Sequence, residues 1–352
     1  MSAPEKKEII ALLQSLIAIP SFSKEEEKTC RLICDYLEGY CDEVQVKGNN
    51  VWAKNKYFQV GKPTILLNSH HDTVRPNQAY TRDPFKGDIS DGKLFGLGSN
   101  DAGGCLVALM AAFLHFYDKK ELRYNLVFLA SAEEENSGDG GIRSVLNLLP
   151  DIDFAVVGEP TSMNLAIAEK GLLVLDCYAH GTPGHAAHSN KDNSIYKAME
   201  AIDWIRNFRF PNISESLGEV KMTVTQIDAG KEHNVVPATC HFVVDIRVTE
   251  QYSNREVLNT VKENAAVEVK ERSLRLNSSA IPVEHPIVQA GIKLGLKTYG
   301  SPTLSDQSNL SCPSLKIGPG DTLRSHAADE YIFVDEIERG VDLYIKLLNE
   351  IV

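Results

Sequence analysis

The stretch NSHHDTV, Asn68–Val74, ends an apolar run, Thr64-Ile-Leu-Leu-Asn68, on two histidines and an aspartate. Imidazole and carboxylate groups are costly to bury unless they are paired or hold a cation. The pattern recurs along the chain. GLGSNDAGG brings Asp101 to the start of an apolar helix, and the run ending at Ser131 leads into Glu133, Glu134 and Glu135. The run ending at Gly158 leads into Glu159, and RSHAADEY supplies His326. Imidazole nitrogen and carboxylate oxygen suit zinc and its neighbours, with bonds of roughly 2.0–2.2 Å. Two histidines and three carboxylates are too many for one tetrahedral ion with an open position, yet they fit two ions if one carboxylate bridges. A carboxylate left over in the triple-glutamate run would then serve as the base. Asp72, two residues beyond His70, is placed to accept that imidazole's other N–H and so fix its tautomer.

Each residue taken singly also has an ordinary reading. A lone histidine is usually a hydrogen-bonded or surface residue, three glutamates in a row are usually solvated, Asp101 could cap the helix that follows, and Glu159 before Pro160 could be a turn residue. Their common place at strand ends favours the metal reading, and it depends on the elements that position them.

Short apolar strands at Thr64–Ser69, Asn125–Ser131 and Phe154–Gly158 alternate with expected helices at Gly103–Tyr117 and Gly141–Leu148. An earlier helix is expected from a Ser23–Glu26 capping box. Near-continuous apolar strands separated by helices imply a mostly parallel mixed sheet flanked by helices, with ligands beyond the C-terminal strand ends. From about Gly171 to Ser279 the rhythm changes to β-α-β-β-α-β, the ferredoxin-like unit. Its strands are Leu172–His180, Val220–Asp228, Cys240–Val248 and Val267–Leu274, and its helices lie near Ser194–Phe208 and after a Ser253–Glu256 capping box. The α/β rhythm then resumes with helix His285–Thr298, strand Ser314–Ile317 and helix Asp335–Glu350. The expected organisation is a discontinuous catalytic domain, 1–170 and 280–352, with an inserted α+β domain at 171–279.

Bulk properties narrow the function. The chain has 352 residues and a net charge of -12, which argues against a nucleic-acid or anionic-membrane surface. The longest apolar run, Cys105–Leu114, is too short to span a bilayer. Seven cysteines without a CxxC pair read as reduced thiols, and the N-terminus lacks a signal-peptide layout; a cytoplasmic protein is expected. GLGSND contains G-x-G, but Asp101 stands where a pyrophosphate would lie, so no nucleotide cofactor is expected.

Together, SHHDTV, GLGSNDAGG, AEEENSG, VVGEPT and HAADEYI resemble, in order and over nearly the whole chain, the motifs of the two-zinc deacylases and exopeptidases. That family includes acetylornithine deacetylase, succinyl-diaminopimelate desuccinylase and aminoacylase. The resemblance implies that His70, Asp101 and Glu159 hold one zinc and that Asp101, Glu135 and His326 hold the other, with Co2+ or Mn2+ as possible substitutes. It implies a bridging Asp101 followed by a cis peptide, Glu134 as general base and Asp72 as the partner of His70. The inserted domain resembles the family's lid and dimerisation domain. There GTPGHAAH implies that His185 reaches a partner subunit's site in a homodimer, and EHNVVPA and VDIRV imply that Asn234 and Arg247 meet the substrate. The implied activity is hydrolysis of an N-acyl-L-amino acid, with N-acetylornithine, N-acetylcitrulline or a succinylated analogue preferred. A dipeptidase, an aminopeptidase or a desuccinylase is the alternative within the family, and a non-catalytic metal-stabilised binding protein the alternative outside it. Two departures bear on substrate choice: DAGG stands where relatives often have DMKG, and Gln307 in TLSDQSN stands where many have glycine.

Overall fold

The structure is a computed structural model that describes residues 4–352. The chain forms two compact units, one comprising the described residues to Ile167 with Ile281–Tyr299 and Ser305–Val352, the other Ala168–Ala280 with Gly300–Leu304.

In the first unit, strands Asn125–Ser131, Thr64–His70, Phe154–Val157 and Ser314–Lys316 lie side by side and parallel. Asn50–Lys54 pairs antiparallel outside Asn125–Ser131, and Leu165–Glu169 antiparallel outside Ser314–Lys316. Every residue of Thr64–His70 and Asn125–Ser131 is buried, as a sheet covered on both faces requires. The helix Gly104–Phe116 is apolar nearly all round, and all its residues but His115 are buried. Such a helix must lie inside the fold; it packs against the terminal helix Val334–Asn349 and against Lys6–Ile17. The parallel order matters for chemistry, because it brings the C-terminal ends of these strands to one edge.

Three expected helices differ, and the strand expected over Val267–Leu274 is confined to Glu268–Glu271. The segment 141–148 is not an α-helix but two short 3-10 turns, Ile142–Ser144 and Leu146–Leu148. The Gly140 carbonyl accepts from Asn50 Nδ2 at 2.7 Å and from Ser144 Oγ at 3.1 Å, and the Ser144 N–H bonds to Gly141 C=O at 2.9 Å, an i→i+3 bond in place of the α-helical one. The second helix begins at Glu27, and the Ser23–Glu26 box does not form. Ser23 Oγ instead donates to Asp72 at 2.7 Å, and the buried Glu26 carboxylate accepts from the Lys24 and Glu133 amides at 2.8 and 3.1 Å. The helix expected over 285–298 stops at Lys293. Gly295 there takes φ +84°, a left-handed C-terminal cap that returns the Leu296 amide to Gly291 C=O at 3.0 Å.

The second unit is an antiparallel sheet in the order Lys221–Ala229, Thr239–Val248, Gly171–His180, Glu268–Glu271, with helices Ser194–Asn207 and Asn254–Asn264. Buried residues alternate along Gly171–His180, so one face of the sheet meets the helices and the other does not. The Ser253–Glu256 capping box forms as expected, each side chain accepting from the other residue's amide. Among the described residues no helix is long and apolar enough to cross a membrane.

Candidate metal centre

His70 is the last residue of its strand and 1% exposed. Its Nδ1 lies 2.9 Å from the backbone carbonyl of Asp72 and 3.5 Å from that residue's Oδ1. If Nδ1 carries the proton, the carbonyl is the nearer acceptor, and Nε2 is left with its lone pair toward the site. The Asp72 carboxylate is held by the Glu134 and Glu135 amides at 3.0 and 3.1 Å, so it also fixes the start of the glutamate loop.

From His70 Nε2, Asp101 Oδ1 lies at 3.3 Å and Glu159 Oε1 at 3.8 Å. From His326 Nε2, Glu135 Oε2 lies at 2.9 Å and Asp101 Oδ2 at 3.8 Å. Asp101 therefore turns one carboxylate oxygen to each imidazole. Two groups of three ligand atoms result, His70 with Asp101 and Glu159, and Asp101 with Glu135 and His326. The peptide Asp101–Ala102 is cis.

The three consecutive glutamates are sorted by backbone conformation. Glu133 takes φ +52°, and its carboxylate accepts from the Gly140 amide at 3.4 Å, away from the imidazoles. Glu135 meets His326. Glu134 belongs to neither group of three, and its Oε2 lies 4.0 Å from His70 Nε2. The other histidine of the motif, His71, is buried between Thr29 Oγ1 at 2.9 Å and the Asn49 carbonyl at 2.8 Å, and burial holds its pKa down.

The charge balance shows whether these residues fit cations. Asp101, Glu134, Glu135 and Glu159 are at most 14% exposed, and four carboxylates face two imidazoles, leaving two negative charges even if both imidazoles are protonated. Burial pushes Glu134 well up, and burial with the nearby Asp101 charge pushes Glu159 up to about 8. Burial opposes ionisation of Asp101 as well, but bonds from His70 and Ser325 outweigh it and hold its pKa low. His326, bonded to Glu135, is raised to about 9. Hard oxygen and imidazole donors crowded in this way suit divalent cations, whose charge would bring Glu134, Glu159 and His326 back down and hold Asp101 lower still.

Several residues that support the site were not singled out in the sequence. Glu330, 2% exposed, accepts from the amides of Gly98, Asn100 and Asp101 at 3.1, 2.8 and 2.9 Å. The G-x-G loop thus turns its amides on a side chain of this same chain, the Glu330 carboxyl, whose pKa burial and the nearby Asp101 charge push up to about 8 against the pull of those amides. Glu330 lies four residues past His326 in HAADEYI, which was the available clue; Ser23 was read only as a helix cap, and Ser325 carries no comparable signal. At DAGG, a Cβ on Gly103 would lie 2.5 Å from Gly98 C=O, so the lysine of the relatives' motif cannot be carried there. Gln307 is fully buried and donates to Ser314 Oγ at 3.0 Å, so its side chain is closed to solvent in this structure.

The other three expected substrate residues lie in the second unit. His185 and Asn234 belong to one small ribbon, where His185 pairs with Val235 and the Ala186 amide donates to Asn234 C=O at 2.9 Å. Arg247 lies on the sheet, its guanidinium paired with Asp245 at 2.8 and 3.2 Å.

The model of peptidase family M20/M25/M40 matches residues 66–350. The chain belongs to that family. An acetylornithine deacetylase of Proteus mirabilis is 29% identical over 97% of this chain and 96% of its own length. A succinyl-diaminopimelate desuccinylase of Rickettsia bellii is 26% identical over 96% and 95%. A dinuclear metal binding peptidase of the family from Bacillus subtilis shares the fold, with a TM-score of 0.74, 16% identity and 97% of each chain covered. Like its family, this chain is a metallohydrolase with a metal-binding site.

Proposed function

We propose that the chain hydrolyses the amide of an N-acyl-L-amino acid, with two zinc ions held by His70, Asp101 and Glu159 and by Asp101, Glu135 and His326. N-Acetylornithine is the preferred substrate, with N-acetylcitrulline or a succinylated analogue close behind. The observation that carries this reading is the pose of Asp101, one oxygen toward each imidazole, with Glu134 left outside both groups of three.

Bound there, paired divalent cations would polarise the scissile carbonyl and acidify the attacking water. Glu134 takes the proton of that water and returns it to the departing amine, a double role open to a carboxylate that already sits in a site raising its pKa. Asp72 keeps His70 and the glutamate loop in register. His185, contributed by a second copy in a homodimer, donates to the oxyanion. Arg247 exchanges Asp245 for the substrate α-carboxylate in a bidentate pair, and Asn234 contacts the same substrate. The inserted unit acts as lid and dimerisation domain in a cytoplasmic enzyme of arginine biosynthesis.

The desuccinylase relative supports a second reading, a succinylated substrate, because its identity and coverage nearly equal those of the deacetylase. A hydrolysis screen of acetyl, succinyl and dipeptide substrates, on protein of measured metal content with and without chelator, tests both. Release of free amino acid from acetyl substrates, abolished by chelator and restored by zinc, is expected. Activity that survives chelation refutes the metal reading, and turnover of dipeptides alone refutes the deacylase reading.

A further inference from the structure

The two strands that deliver the site's reactive groups end side by side, and the last pair of their parallel ladder is His70 with Ser131. Past that pair one more backbone bond follows, His71 N–H to Ser131 C=O at 3.0 Å, and the chain toward Glu133 to Glu135 is then held by side chains, Asn50 at the Ala132 amide and Asp72 at the Glu134 and Glu135 amides. Asn68 precedes His70 by two residues, so strand alternation puts both on the same face of the sheet. On that face lies Asp306, from the TLSDQSN turn and distant in sequence from both strands. It is 3% exposed. Its Oδ2 accepts from Asn68 Nδ2 at 2.9 Å and from Ser131 Oγ at 2.6 Å. The Asn68 amide oxygen is buried with no partner among the described residues, so Asp306 is what orients that side chain.

A buried carboxylate with such neutral donors is expensive to keep. A hydrophobic residue would fill the same volume at less cost, so a purely packing role does not explain it. We propose that Asp306 is a positioning residue: it clamps the ends of the His70 and Ser131 strands to each other and thereby sets the separation between the His70 imidazole and the Glu134 carboxylate. Asp306 touches neither substrate nor cation in this scheme; it acts through Asn68 and Ser131. The activity part of the proposal rests on the amide-hydrolase reading, while the geometric part does not.

The test uses the full-length protein loaded with Co2+, whose visible absorption bands report the geometry of the imidazole and carboxylate ligands, alongside kcat and KM for the best substrate of the screen. Asp306→Asn keeps shape but turns an amide N–H toward one of the two donors. It is expected to lower kcat about 10- to 100-fold with KM nearly unchanged, the range seen when a group orienting a metal ligand is removed, and to shift the Co2+ bands at full metal content. Ser131→Ala is expected to do the same to a smaller extent, Ser131→Thr to restore the parent behaviour, and the double variant to be no worse than Asp306→Asn alone, because both changes break one linkage. Unchanged Co2+ bands with unchanged kcat in Asp306→Asn overturn the proposal, as do strictly additive effects of the two single changes. If Asp306→Asn does not fold, the Ser131→Ala and Ser131→Thr pair decides alone. A parent protein that binds no Co2+ or hydrolyses nothing refutes the underlying functional reading instead.

Discussion

The residues of the metal cluster and those of the second unit are held in different ways. Around Asp101 the contacts come from far along the chain: its amide is bound by Glu330, 229 residues away, and His326 meets Glu135 across 191 residues. His185, by contrast, has its Nδ1 bonded to the Ala187 amide at 3.1 Å, and Arg247 is paired with Asp245 two residues away. The first region is pre-organised by contacts between distant parts of the unit, with His326 its one exposed member. The second is satisfied locally by partners that a ligand can replace. Rigid groups suit the handling of charge and protons, and exchangeable ones suit the capture of substrate.

This contrast can be broken or sharpened by experiment. The largest effect is expected for Asp101→Ala, which removes a ligand from both groups of three. Metal analysis should find both ions lost and activity at background, and retention of two ions would mean that Asp101 does not bridge. Glu134→Gln should keep both ions and lower kcat by about 10²- to 10⁴-fold, the range for removal of a general base. Loss of metal in this variant would make Glu134 a ligand, and unchanged turnover would favour a binding protein.

In the second region, His185→Ala should lower kcat by about 10²- to 10³-fold with metal content unchanged. Mixing this chain with the Glu134→Gln chain should restore part of the activity if sites are shared between subunits, whereas no recovery at any ratio would show that each chain works alone. Arg247→Lys keeps the charge but loses the planar fork, and KM should rise roughly 10-fold with kcat little changed.

The smallest effect concerns pH. Bonds from Arg272 and His241 hold the Asp176 carboxyl down at about 2. A folded pKa below the unfolded one means that this stability is present above about pH 4 and is lost as pH falls toward 2. Arg272→Met should flatten that acid limb of the unfolding curve by at most about 1 kcal/mol, as for a partly exposed ion pair. An acid limb identical to the parent's would remove Asp176 from the account.

The strand ends were legible because apolar runs of fixed length stop at His70, Ser131 and Gly158, and a parallel sheet must bring such ends to one edge. The motif order then pointed to the residues that the structure brings together in two groups of three. The parts that could not be read depend on local backbone or on distant partners. Asn50, distant in sequence, bonds the Gly140 carbonyl at the start of a stretch with helix-like apolar spacing, and the Ser23–Glu26 box lost its residues to Asp72 and to the Glu133 amide, because buried donors and acceptors outweigh an exposed cap.

By itself the sequence determined which residue types stand at the strand ends, the alternation of the two kinds of unit, and the excess of acid that a cation must answer. Only the tertiary structure decided where three adjacent glutamates point, that Glu330 fills the amide cradle before Asp101, and that Asp306 bonds Asn68 and Ser131 near the strand ends. The reason is physical: hydrophobic periodicity is a local property written along the chain, whereas the pairing of buried charges depends on which distant residues folding brings within about 3 Å of one another.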